Sequence, residues 1–239
     1  MKESCQTTGT KPRGGKSCGI PPLAKDAKDG APVSVLGAGL FQIIEAFAHE
    51  YGKGKMESEE FDCLFVITGG PGSGKTTLIQ ALAGRGIATM PEAGRAIIQD
   101  QVAIGGKALP WSDRRAFAEL MLSWEIRSYR AALKLSGTVI FDRGLPDVLG
   151  YLRLSGLPIP SHIEKAVRIF RYHRRVLIAP PWPEIFGLDA ERKQSFAEAQ
   201  ATYETMIETY SGLGYELTAL PLDSVQERVR FVLAAIGCP

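Results

Sequence analysis

Long apolar runs, paired cysteines and a surplus of one charge are what this 239-residue chain lacks. No segment holds the roughly 20 apolar residues that a bilayer span needs. The most apolar early stretch, residues 33–51, is interrupted by Gln42, Glu45, His49 and Glu50. A secretory leader would place an apolar core close to a basic N-terminus, and here a long polar segment rich in Gly, Pro and Lys comes first. The expectation is a cytoplasmic protein with no membrane partner. The four cysteines, Cys5, Cys18, Cys63 and Cys238, form no CxxC pair and have no histidine at zinc-ligand spacing, which excludes a disulfide framework or a zinc site. Cys63, inside an apolar run, is expected to be a buried small hydrophobe. The 28 basic and 26 acidic residues leave a net charge of +2, without the excess that nucleic-acid binding asks for. Gly37-Ala38-Gly39 opens like a dinucleotide fingerprint, but Gln42 stands where the third glycine belongs.

What is present divides at Met56. Residues 1–32 mix Gly, Pro, Lys, Ser and Thr without periodicity, the composition of a segment that cannot offset its ordering entropy by burial. Leu40, Ile43, Ile44, Phe47 and Tyr51 then fall at helical spacing and predict one amphipathic helix. The expected division is a disordered or accessory extension over 1–56, with Met56 able to serve as an alternative initiator, and a nucleotide-binding domain over 57–239.

From Phe61 onward strands and helices alternate, the order of a parallel-sheet α/β protein. Strands are expected at 63–68, 87–90, 138–141, 175–179 and 215–220, and helices at 75–83, 94–102, 113–135, 160–172, 190–213 and 224–236. The loop at 105–111 and the segment at 145–160 are read as material for a wall around a site. Arg168, Arg171, Arg174 and Arg175 read as a solvated basic face. Trp124 is expected in the core, whereas Trp111 and Trp182 flank prolines in loops.

Between the first strand and its helix stands Gly69-Gly70-Pro71-Gly72-Ser73-Gly74-Lys75-Thr76-Thr77. This is the strand, glycine-rich loop and helix N-terminus that cradle phosphates with backbone N–H groups. The chemistry assigns Lys75 to the β- and γ-phosphates and the Thr76 hydroxyl to Mg²⁺. A second oxygen for the metal is expected at a neighbouring strand end, where Asp142 closes Val139-Ile140-Phe141. Arg143 beside it fits a substrate contact or an ion pair equally. The second strand leads into Pro91-Glu92-Ala93-Gly94-Arg95. There Glu92 either handles an acceptor hydroxyl or complements a helix N-terminus, and Arg95 either holds an anion or pairs with Glu92. Arg192, on the loop after Pro180-Pro181-Trp182-Pro183, is the candidate charge that closes over a transition state.

The segments GGPGSGKTT, PEAGRAIIQDQ, VIFDRGLPDVLGY, APPWPEIF and ERKQSF together resemble an AAA-type P-loop family of predicted ATPases. That family includes the nicotinamide riboside kinase domain of bacterial NAD regulators. The resemblance runs from about Phe61 to the C-terminus. It implies a kinase-like P-loop NTPase core of five parallel strands in the order 2-3-1-4-5 with helices on both faces. It also implies ATP on residues 72–77, Asp142 near the metal, and an acceptor side built by the loops after the second and third strands. Two readings follow. One is a small-molecule or nucleoside-type kinase using ATP and Mg²⁺, with Lys75, Asp142, Glu92 and Arg192 as its chemical residues. The other is a regulatory NTPase or switch with no small-molecule acceptor. A ring motor is disfavoured for want of a helical lid domain, and no base-reading NKxD-like run selects GTP.

Overall fold

A computed structural model describes residues 61–187 and 195–237. The expected helix at 40–51, the division at Met56 and the closing residue Arg192 lie outside the described residues.

Five strands form one parallel sheet: β1 (Leu64–Gly69), β2 (Ala88–Met90), β3 (Val139–Asp142), β4 (Arg175–Ala179) and β5 (Glu216–Ala219). Their order is β2-β3-β1-β4-β5, as the resemblance implies. Ile67 of β1 lies level with Asp142 of β3 and with Leu177 of β4, so three strands end together at one carboxyl edge. Alternate side chains of β1 enter opposite cores, because a strand turns successive residues to opposite faces. Leu64 and Val66 join Val139, Phe141, Val176 and Ile178 on one side, and Phe65 and Ile67 join Ile140, Leu177 and Ala179 on the other. Burial on both faces explains why β1 reads as a continuous apolar run, each such side chain contributing about 1.5–3 kcal/mol.

The face holding Phe65 and Ile67 is covered by α1 (Lys75–Ala83) and α7 (Val225–Ala235). The other carries α3 (Arg114–Ala132), α4 (Leu145–Leu154), α5 (Ser161–Ile169) and α6 (Phe196–Gly212). Helix α2 (Ala93–Ala103) packs Ala93 and Ile97 on Phe117 of α3. Asp113 caps α3 by accepting from the Ala116 N–H at 2.9 Å, which fixes the start of that helix.

Three expectations need correction. The segment after Asp142, for which no helix is expected, forms α4, with a proline in its first turn and Asp147 accepting from the Gly144 N–H at 3.0 Å. Leu145, Val148, Leu149 and Leu152 are all buried, and a run so apolar on every side hides its periodicity. Cys63 is only half-buried and lies just outside β1. Of the arginines near β4, Arg168, Arg174 and Arg175 are exposed as expected, but Arg171 is half-buried, donates to the Leu213 carbonyl and lies 4.0 Å over the Tyr215 ring. No helix among the described residues is long and apolar enough to cross a membrane.

Candidate functional site

The glycine-rich loop joins β1 to α1 at the carboxyl edge. Gly69 has φ +130°, and a Cβ there would stand 2.4 Å from the Ala179 carbonyl oxygen, so only glycine lets β1 pass β4 and turn. Gly74 has φ +73° and opens α1 in the left-handed region. The loop is braced from within, the Ser73 hydroxyl donating to the Gly70 carbonyl at 2.8 Å.

Lys75 is buried rather than exposed. Its ammonium folds onto the loop and donates to the carbonyls of Gly69 (3.1 Å) and Gly70 (2.6 Å) and to Ser73 Oγ (3.3 Å). Burial, followed by the repulsion of Arg143, lowers its pKa to about 8, against the pull of Asp142, Glu92 and Asp147. Thr76 and Thr77 are exposed on the first turn of α1.

Asp142 ends β3 beside this lysine. Burial lifts its pKa to about 6 although Lys75 favours the ionised form, and its Oδ1 is buried with no hydrogen-bond partner among the described residues. Arg143, the next residue, has φ +73°, a left-handed conformation that non-glycine residues rarely hold. Its backbone N–H donates to the Ile67 carbonyl at 3.0 Å, and its guanidinium bridges Glu92 Oε1 (2.9 Å) and Asp147 Oδ1 (3.2 Å). Of the two sequence readings of Arg143, the ion pair is the one the geometry displays. Glu92 stands at the N-terminus of α2, where an acid complements the helix dipole, but it makes no side-chain cap bond and its ion pair is with Arg143 rather than Arg95. Although burial raises its pKa, Arg143 and Lys75 outweigh that effect and the carboxyl titrates below its ordinary value.

A cavity of about 340 Å³ opens between α1 and α2, lined by Thr76, Gln80, Glu92, Arg95, Gln99 and Asp142 among others. The cavity therefore brings together Thr76, Asp142, Glu92 and Arg95, and Lys75 is near enough to interact electrostatically with Asp142 and Glu92; all five are singled out in the sequence. Trp182 does not face this cavity but lies over the guanidinium of Arg228, 5.6 Å from the ring centroid. Trp124 is only partly buried, against the Ala93, Ile97 and Phe117 cluster, and Trp111 is exposed.

Sequence reasoning missed two acids. Asp147 accepts from Thr68 Oγ1 (2.6 Å), the Gly144 N–H (3.0 Å), Tyr210 OH (2.6 Å) and Arg143, tying β1, the start of α4 and α6 to the site. Its position in the first turn of a helix four residues after an arginine was the available signal. Glu125 of α3 is buried, and burial, reinforced by Asp147 and Glu92, raises its pKa well above the usual carboxylate range. Nothing in its neighbourhood along the chain marks it out.

Among the described residues no group of three or more His, Cys, Asp or Glu is arranged to hold a metal ion. Magnesium needs less: Thr76 and Asp142 share one cavity, and the unsatisfied Asp142 Oδ1 is the kind of hard oxygen it takes, with phosphate and water completing its shell. The donor set fits.

Sheet order, loop and strand-end acid define a kinase-like P-loop α/β protein. The chain belongs to the AAA domain family, which it matches over residues 64–228. Its fold is similar to that of thymidylate kinase from Ehrlichia chaffeensis, with 14% identity and a TM-score of 0.51 over 74% of this chain and 99% of that one. It is also similar to a NadR protein in complex with NR, with 17% identity and a TM-score of 0.57 over 86% of this chain and 60% of that one. Identities this low speak to the fold alone. No curated protein matches the sequence.

Proposed function

We propose that the chain is a phosphotransferase that moves the γ-phosphoryl group of ATP, with Mg²⁺, to a hydroxyl of a small-molecule or nucleoside-type acceptor. The observation that carries this reading is the cavity between α1 and α2. It places the exposed Thr76 and the unpartnered Asp142 on one side and Glu92 with Arg95 on the other. A protein that only hydrolysed nucleotide would need no acceptor-sized space at that point.

The N–H groups of residues 72–77 cradle the phosphates, while Lys75 exchanges its bonds to the Gly69 and Gly70 carbonyls for phosphate oxygens. Thr76 Oγ1 and Asp142 would hold Mg²⁺, which would supply positive charge to offset that of the phosphates. Glu92, kept ionised and pinned by Arg143, orients the acceptor hydroxyl and takes its proton. As the new oxygen–phosphorus bond forms, the bond to the β-phosphate oxygen breaks and ADP departs. Arg95 steadies an anionic or polar part of the acceptor, and Arg192 is proposed to add positive charge on closure.

The test is ADP release by the full chain with Mg²⁺ and ATP, alone and with a panel of nucleosides and small alcohols. Acceptor-stimulated release that disappears in Lys75→Ala is expected. Release that no acceptor stimulates would replace this reading with that of a nucleotide-dependent switch.

A further inference from the structure

Behind the phosphate loop lies a charge that the proposed reaction leaves unused. Arg228 of α7 is 2% exposed, and its guanidinium makes one hydrogen bond, from Nη1 to the Ser73 carbonyl at 3.1 Å. Nε and Nη2 are buried and have no partner among the described residues. Its other favourable contact is the face of Trp182. Burial alone pushes its pKa down, with no charged group among the described residues offsetting it. The guanidinium is also close to the cradle: a Cβ on Gly74 would stand 2.6 Å from Nη1.

A buried cation with two unsatisfied donors destabilises the protein that carries it. An anion held a few ångströms away relieves that cost, since interactions across a low-dielectric wall are weakly screened. Resting on the nucleotide-binding reading above, we propose that Arg228 is a positioning residue that couples the phosphate loop to the polyphosphate of the nucleotide. It holds the Ser73 peptide from behind and supplies a second positive charge, besides Lys75, for the phosphates to neutralise. The class of ligand it serves is the polyphosphate and not the base.

Linkage then makes a reciprocal demand. If bound phosphate offsets the burial of this cation, removing the cation spares the free protein and weakens the phosphate complex. A purely structural arginine would do the reverse.

The experiment uses the full chain as wild type, Arg228→Gln, Arg228→Lys and Lys75→Ala. The melting midpoint is measured without ligand, and affinities are measured by calorimetry for Mg·ADP and for inorganic tripolyphosphate. Arg228→Gln is expected to melt at or above the wild type and to bind both probes about tenfold more weakly. Arg228→Lys keeps the charge and should stay within about threefold of wild type for both. The tripolyphosphate affinity decides. If Arg228→Gln binds it as wild type does, the arginine belongs to the scaffold when ADP is also unaffected and to nucleoside recognition when ADP alone is weakened; either result overturns the proposal. If Arg228→Gln does not fold, Arg228→Lys decides, and a lysine variant that has lost the affinity rejects the electrostatic account. Lys75→Ala serves as the separate control: unchanged binding of both probes there would reject the phosphate loop reading itself.

Discussion

Asp142 ends β3 and Glu92 stands two residues beyond the adjacent strand β2, yet their surroundings push their acidities apart. Burial lifts the first to about 6, while Arg143 and Lys75 hold the second below its ordinary value despite burial. The pair thus offers one carboxyl suited to a metal and another kept ionised against an acceptor. Asp142→Asn should cut Mg²⁺-dependent turnover by about a hundredfold while leaving Mg²⁺-free ADP binding nearly intact, because the loop's backbone donors remain. Equal losses with and without Mg²⁺ in calorimetry would return Asp142 to the scaffold. Lys75 carries a pH dependence. Its folded pKa of about 8 lies below lysine's ordinary 10.5, so charging it opposes folding as pH falls through that window, fully so below about 8. Phosphate reverses the preference, and binding should take up a proton between those limits. ADP affinity should fall by about tenfold per pH unit above 8. Calorimetry at pH 8.5 in two buffers of different ionisation enthalpy reads the uptake, and equal heats would refute it. The sequence marks these residues through the loop pattern and the strand end. The burial of Lys75 is invisible there, because it depends on where the chain folds back to meet it.

At the scale of elements, α4 is what the sequence hid and what the site most depends on. Asp147 in its first turn receives hydrogen bonds from Thr68 of β1 and Tyr210 of α6 and an ion pair from Arg143. One carboxylate therefore sets the angle at which α4 leaves the sheet and holds Arg143 in its left-handed conformation. Asp147→Ala leaves a buried arginine short of a partner and two hydroxyls unpaired, and should cost about 3–5 kcal/mol in urea unfolding. Tyr210→Phe removes one bond of the set and should cost about 1 kcal/mol. A loss below half that in the alanine variant would mean that packing alone orients the helix. The sheet was legible because β1, β3 and β4 are buried on both faces and read as apolar runs. Helix α4 was not, because it is flanked by sheet, α3, α5 and α6 and has little polar face to report a period.

For the whole molecule, the expected boundary at Met56 remains a prediction of composition. A chain beginning at Met56 should fold, melt within about 2 °C of the full chain and keep its stabilisation by Mg·ADP, because accessory residues add little to the cooperative unit. A truncated protein that melts several degrees lower would place the helix expected at 40–51 in the domain. The sequence by itself determined the fold class, the phosphate loop and the strand-end aspartate. Those signals are local: a glycine pattern between a strand and a helix, and apolar runs of strand length. Only the tertiary structure decided that Glu92 pairs with Arg143 rather than Arg95, and that Asp147 anchors both arginine and helix. It also decided that Arg228 stands uncompensated behind the loop. Apart from Arg143, four residues before Asp147, these partners lie dozens of residues away, at distances where sequence spacing carries no geometry. Ion pairing inside a protein is fixed by which buried groups the packed elements bring within reach.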